Sequence, residues 1–347
     1  MELVGIAEIA ERLGVSKQVV ANWRARKPTF PRPVADLKSG PVWSKDVILA
    51  WAKAEDIQVP DVLDIESEEK LTNGCQAVVA ALMNMKGGVG KSTITANVGW
   101  YAAYKRNKRV LLIDLDPQFN LSQYILGARG YEKLIEDSGP TVDEIFVNEN
   151  SGDNAPSRLI RKVHEWDDGS LIHLLPASLE LAWNMKYLTD RAHMLRDFIN
   201  EIRSDYDLVM IDCSPTESIL STASYMASDF IFIPVKPEFL STIGLPLLMR
   251  SIKEYENTYK NESAPEIGGI IFNDTGEKGE HDRSREYVRA LATEHGLPVF
   301  ATEVSHSDSY PVGARVGKPI FLTDNARSWK ISEFDKVATE FLGKVGL

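Results

Sequence analysis

Residues 86–93 read Lys86-Gly87-Gly88-Val89-Gly90-Lys91-Ser92-Thr93, a glycine-dense turn with a lysine at each end and two hydroxyls after it. Glycines permit tight turns whose N–H groups point inward at one centre, and the lysines add positive charge, so the stretch suits a polyphosphate. Its flanks support this. "QAVVAALMN" reads as a short strand and "STITANVGWYAAYK" has helical spacing, which puts the loop at a helix N-terminus whose partial positive charge favours anions. In such a loop Lys91 reaches the β- and γ-phosphate oxygens and Ser92 ligates Mg²⁺. The common pattern G-x-x-x-x-G-K-[ST] places its first glycine at position 85, which here is Met85. The loop therefore departs from that pattern at its first position, and it carries a second lysine, Lys86, that the pattern does not call for.

Carboxylates stand at two further strand ends. "RVLLIDLDPQFN" places Asp114 and Asp116 on one side of a strand by alternation, where an α/β sheet presents ligand-facing groups at its carboxyl edge. "YDLVMIDCSPTES" ends four apolar residues with Asp212, the form of a Walker B strand whose acid holds Mg²⁺ through water. A helix cap or turn is the structural alternative for each aspartate taken singly.

The elements that must position these groups alternate along the chain. Apolar, β-rich runs at 77–83, 110–115, 208–211, 230–235 and 267–272 are separated by helix-spaced stretches. The runs are nearly continuous rather than alternating, as strands buried on both faces should be. The expected fold class is α/β: a mostly parallel sheet flanked by helices, plus a small N-terminal, mainly helical domain. At 347 residues, 44% hydrophobic and 26% charged, the chain suits about two domains. Residues 55–70, "EDIQVPDVLDIESEEK", hold seven acids against one base and read as solvated linker. The expected division is 1–54, an acidic linker at 55–75, and 76–347.

Several classes are disfavoured. The net charge of −11 gives no global field for nucleic acid, so any such contact needs a local patch. Cys75 and Cys213 form no C-x-x-C, and the six histidines show no H-E-x-x-H. No run of about 18 apolar residues and no cleavable leader is present, so a cytoplasmic protein is expected.

With the loop KGGVGKST, the stretch "LLIDLDPQFNLSQYILG" and the segment "DLVMIDCSPTESILSTASYMASDFIFIPVKPEFLSTIGLPLLMRSI", residues 76–347 resemble the ParA/MinD class of P-loop ATPases, and ParA partition proteins most. The resemblance implies an ATP sandwich homodimer in which Lys86 crosses to the partner's nucleotide. It further implies Lys91 on the β- and γ-phosphates, Ser92 on Mg²⁺, Asp116 positioning the attacking water, and Asp114 and Asp212 in the metal shell. Facing phosphates need cationic compensation across such an interface, which gives the role a physical reason. Two departures stand out: Phe119 occupies the position of the glycine in D-P-Q-G-N, and Cys213-Ser214 replace the usual Thr-Pro before Pro215. Asn273, at a strand end in "GGIIFNDTG", is a candidate adenine contact or a turn residue, as is backbone near 234–239.

The N-terminal unit has helix-turn-helix spacing. A helix at 6–13 with Ile6, Ile9, Ala10 and Leu13 apolar, a turn at Gly14-Val15, and a Ser16-capped helix to about Arg26 would bury Val19, Val20 and Trp23. That leaves Lys17, Gln18, Asn22 and Arg24 facing outward, suited to phosphates and base edges. Between positions 12 and 38 seven Lys/Arg face one acid, Asp36, so the patch missing from the whole chain is local. "PTFPRPVADLKSGPVWSKDVILAWA" reads as a wing or hairpin and a Ser44-capped helix, resembling the winged helix-turn-helix of excisionase and MerR-type regulators.

Arg283 and Arg285, with Arg289, Lys318 and Arg327, are candidate contacts to nonspecific DNA by resemblance. The C-terminal stretch with Ile331, Phe334, Val337, Ala338 and Phe341 at helical spacing lacks a cationic face, so it should cover core rather than meet membrane. The expected function is ATP-dependent DNA partition: dimerisation on ATP, nonspecific DNA binding at the nucleoid, release by hydrolysis stimulated by a ParB-like partner, and operator binding by the N-terminal domain. A nucleotide-gated transcription regulator and a positioning ATPase for a protein cargo are the competitors. An iron-sulfur reductase shares the loop, yet two isolated cysteines cannot supply its cluster.

Overall fold

Leu3–Val4 (β1), Ala35–Leu37 (β2) and Gly40–Ser44 (β3) form an antiparallel sheet in the order β1-β3-β2, followed by α1 (Lys45–Ala54). The β2–β3 hairpin lies where the wing was expected, and the helix begins directly after Ser44. This sheet belongs to the first of two compact units, Met1–Asn73 and Gly74–Leu347. The computed structural model describes residues 3–6, 9, 20, 23–24, 27, 29–37, 40–54, 76–147, 156–185, 190–260, 262–276, 279–324 and 326–347. Ile9, Val20, Phe30, Trp43, Ile48, Trp51 and Ala52 make the first unit's core, with Phe30 edge-on to Trp51 at 4.7 Å. Val20, Trp23 and Arg24 are helical, in agreement with the expected second helix. Lys17, Gln18 and Asn22, the linker 55–75 and most of the helix at 6–13 lie outside the described residues.

The second unit is built on β4 (Val78–Leu82), where alternate side chains enter different layers. Val79 and Ala81 join one core, Ala80 and Leu82 the other. The same alternation runs through β5 (Arg109–Leu115) and β8 (Leu208–Cys213), because helices cover both faces and neither can be polar. One core contains Leu195 and Ile199 of α4 (His193–Ile202) and Leu248 of α6 (Gly244–Thr258). The other contains Ile94 and Val98 of α2 (Lys91–Arg106). Between α2 and α4 in the chain lies α3 (Asn120–Glu136), and between α4 and α6 lies α5 (Ile219–Ala227). Later come α7 (Gly279–Glu294), α8 (Ser309–Arg315) and α9 (Ser328–Lys344).

The sheet has eight strands in the order β11-β10-β9-β4-β8-β5-β7-β6. Here β6 is Arg161–Glu165, β7 Leu171–Leu175, β9 Phe230–Val235, β10 Glu266–Thr275 and β11 Val304–Ser305. All neighbouring pairs are parallel except β6 and β7. The five expected strands are present. The β6–β7 hairpin was not foreseen, since "RKVHE" is charged with little apolar content, as an edge strand can be. The terminal helix α9 is docked: Phe334, Val337, Ala338 and Phe341 are buried, and Phe341 stacks on Phe232 at 3.9 Å. Among the described residues no helix is long and apolar enough to cross a membrane.

Candidate functional site: the loop between β4 and α2

The phosphate loop joins the carboxyl end of β4 to the first residue of α2, Lys91. Gly88 and Gly90 take positive φ, 74° and 92°, a region an L side chain adopts only at a cost of roughly 1–2 kcal/mol. Gly90 has a second constraint, because a Cβ there would lie 1.9 Å from Asn273 Nδ2. The two lysines part company. Lys91 is buried at 6% exposure, its ammonium lying 3.5 Å from the Asn84 carbonyl and 3.4 Å from the Lys86 carbonyl, whereas Lys86 is exposed. Gly87, Gly88, Gly90, Lys91, Ser92 and Thr93 line a cavity of 570 Å³, the size of an ordinary ligand pocket. Asp116, Gln118, Gln123, Tyr310 and Arg315 are among the other residues of its wall.

Register explains where the acids fall. Asp114 on β5 pairs with Asp212 on β8, and each is in phase with residues of the α2-facing core, Leu112 and Met210. Both carboxylates are therefore carried under the helix whose start holds the loop, and both are fully buried. They differ in what they bind. Asp114 Oδ2 accepts the Ser122 N–H and hydroxyl, both at 2.7 Å, and Oδ1 accepts the Asp116 N–H at 3.2 Å. Burial pushes its pKa up to about 7 against the pull of those hydrogen bonds. The oxygens of Asp114, a candidate for the metal shell, tie the β5 end to the start of α3.

Neither oxygen of Asp212 has a hydrogen bond of good geometry, although the Ser92 hydroxyl faces it. Burial and then the charge of Asp114 hold its pKa well above the ordinary carboxylate range, with Ser92 and Lys91 pulling the other way. A buried, unpartnered carboxylate beside a hydroxyl is costly unless a cation compensates it, so this donor set fits Mg²⁺. Asp116 lines the cavity, accepts the Gln118 N–H at 3.0 Å, and is also raised by burial, with Lys91 opposing.

Phe119 keeps the left-handed conformation a glycine would adopt, at φ 48° and ψ 31°, and its ring stacks on Tyr131 at 4.9 Å. The backbone path survives the departure because the stack offsets part of the strain. Cys213 is buried, and its thiol donates a hydrogen bond to Ser224 Oγ at 3.2 Å.

Asn273, the candidate adenine contact or turn residue, packs against the phosphate loop. Its Nδ2 donates to the Val89 carbonyl at 2.8 Å, it is 6% exposed, and it is not in the cavity wall, so it braces the loop. The candidate DNA arginines also separate. Arg285 is held by Asp282 at 2.7 Å and Glu303 at 2.9 Å, with its side chain 19% exposed. Arg283 lies exposed on α7, and Arg24 in the first unit is exposed with its guanidinium 5.8 Å from the Trp43 ring centroid. Sequence reasoning missed Ser122 and Asn84, two small polar residues in apolar surroundings whose only signal was that setting.

A glycine loop at a strand–helix junction, with acids at two neighbouring strand ends of a parallel sheet, defines a P-loop nucleoside triphosphatase. Residues 77–264 match a family model described as an AAA domain. The chain is 30% identical over 269 residues to the chromosome-partitioning ATPase Soj of Treponema pallidum, covering 76% of this chain and 96% of that one. Among solved structures it resembles cobyrinic acid a,c-diamide synthase from Mycobacterium smegmatis with bound ATP analog and magnesium. That likeness has a TM-score of 0.58 and 25% identity, covering 76% and 93% of the two chains. It shares the fold of pNOB8 ParA bound to nonspecific DNA, with a TM-score of 0.57 and 18% identity, covering 78% and 99%. The chain belongs to the ParA/Soj family of partition ATPases, and it is an enzyme that hydrolyses ATP.

Proposed function

We propose that this protein is an ATP-dependent DNA-partition factor whose ATP-bound form is a homodimer that holds nonspecific DNA and lets it go on hydrolysis. The observation that carries the reading is the division between the two loop lysines, one buried in the cavity wall and one exposed. Lys91 neutralises the phosphates of its own subunit. Lys86, which needs no partner within the chain to stay solvated, extends to the triphosphate of a second copy, where facing polyphosphates concentrate negative charge in a water-poor interface.

The backbone N–H groups of the loop and the start of α2 cradle the triphosphate. Ser92, and Asp212 through water, hold Mg²⁺, which when bound neutralises developing charge on the β- and γ-phosphate oxygens. Asp116, at the cavity wall, orients the attacking water. A centromere-binding partner of the ParB kind would accelerate this step. Arg283 on α7 is the more available of the two paired candidates for phosphate contact, since Arg285 is engaged by two acids. The N-terminal unit, with its hairpin and following helix, reads an operator and governs the protein's own synthesis.

Light scattering with nonhydrolysable ATP and Mg²⁺ tests the dimer. Lys86→Ala should bind nucleotide as a monomer and fail to dimerise; a variant that dimerises normally overturns the role of Lys86. Retention on random duplex DNA with ATP separates partition from a nucleotide-gated regulator, which would hold one operator sequence and ignore the rest.

A further inference from the structure

At the foot of the loop lies a buried carboxamide that the phosphate chemistry does not use. Asn84 is 1% exposed and stands where three segments meet. Its Nδ2 donates to the carbonyl of Pro234 on β9 at 2.7 Å, and its Oδ1 accepts the backbone N–H of Lys86 at 3.1 Å. The third segment is the first turn of α6. A methyl group on Gly244 would lie 2.0 Å from Asn84 Oδ1 and 3.1 Å from Lys86 Cβ, so the helix reaches this point only because the residue has no side chain.

We propose that Asn84 is a positioning residue for Lys86. It is buried and lies outside the cavity wall; by holding the Lys86 backbone to β9 and α6 it sets the direction in which the exposed lysine leaves the loop. Both polar ends of the amide are used inside the protein, so the group cannot turn without leaving a buried partner unsatisfied. Lys91 is tied to the amide less directly: its ammonium contacts the main-chain carbonyls of Asn84 and Lys86 and not the amide itself, and it is fixed besides by its place at the start of α2. Loss of the Asn84 side chain should therefore separate two events that a general loss of stability would weaken together. The inference rests on the reading of Lys86 as the residue that serves a second copy.

The test uses the full chain and four variants: Asn84→Ala, Gly244→Ala, the double variant and Lys86→Ala. Titration with a fluorescent ATP analogue at low protein concentration reads monomer binding, and light scattering with nonhydrolysable ATP and Mg²⁺ reads dimerisation. Asn84→Ala and Gly244→Ala should each keep monomer affinity within about threefold and weaken dimerisation about tenfold, the scale of one lost buried hydrogen bond. The double variant should lose much less than the sum of the two single losses, because truncation removes the atom the new methyl would strike at 2.0 Å and leaves only the 3.1 Å approach to Lys86 Cβ. Additive losses in the double variant, normal dimerisation by Asn84→Ala, or equal losses in both assays would overturn the proposal. Should Asn84→Ala fail to fold, Gly244→Ala carries the same test. If Lys86→Ala dimerises normally, the parent reading falls; if it stays monomeric while Asn84→Ala dimerises, only the role of Asn84 falls.

Discussion

Replacing Asp212 by asparagine should stabilise the nucleotide-free protein while removing its response to Mg²⁺ and ATP. Asp212 has no exposed surface, receives no hydrogen bond of good geometry, and sits across the β5–β8 register from Asp114. An unpaired carboxylate in such a place costs several kcal/mol after relaxation, against about 1–3 kcal/mol for a neutral amide short of partners. The exchange keeps volume and removes charge, so at pH 8 it should gain about 2 kcal/mol. For a unit of this size that corresponds to a rise in Tm of roughly 3–4 °C. The sign with pH follows from the raised values of Asp114, Asp116 and Asp212. Without nucleotide the folded state holds protons that the unfolded state has released, so the contribution of these groups is greatest below the ordinary carboxylate pKa of 3.8 and is lost as pH rises towards about 7, where Asp114 titrates. These groups thus make the nucleotide-free wild type less stable at pH 8 than at pH 5.5, and the advantage of Asp212→Asn shrinks on acidification. The assay is thermal unfolding at both pH values, with and without Mg²⁺ and ATP. A Tm lowered by the substitution at pH 8, or a difference unchanged between the two pH values, would refute the account of Asp212 as an uncompensated charge awaiting a cation.

Asp116→Ala should bind ATP, dimerise and persist as the ATP dimer, with single-turnover hydrolysis reduced by two or more orders of magnitude, the scale of losing a positioned catalytic group; release of phosphate at the wild-type rate would exclude Asp116 from water positioning. Phe119→Ala should lose about 1–2 kcal/mol in urea unfolding, because it forfeits the stack on Tyr131 and keeps the left-handed strain. Phe119→Gly, which also loses the stack but relieves the strain, should fall within about 1 kcal/mol of the wild type; equal losses in the two variants would show that the strain is not felt.

Much of the α/β unit was legible because its signals are local. The run KGGVGKST between a strand pattern and a helix pattern needs glycines for its turns and a lysine for its charge, and those requirements are met by neighbours in the chain. Strand-end acids are equally local, since alternation and an apolar run predict where Asp114, Asp116 and Asp212 emerge. What each acid does was not legible. Asp114 and Asp212 look alike in sequence, yet Ser122, placed by the turn into α3, takes up the oxygens of one and leaves the other bare. Nor was it legible that the side chain of Asn273 donates to the carbonyl of Val89, 184 residues away in the chain. Arg283 and Arg285 read as one basic feature, and Glu303, distant in the chain, divides them. The sequence by itself determined that a polyphosphate binds at a strand–helix turn, because that chemistry lies in consecutive residues. Only tertiary structure decided which acids remain unpartnered, which cations are already engaged and what anchors Lys86, because each depends on a hydrogen-bond partner that the fold brings from elsewhere in the chain.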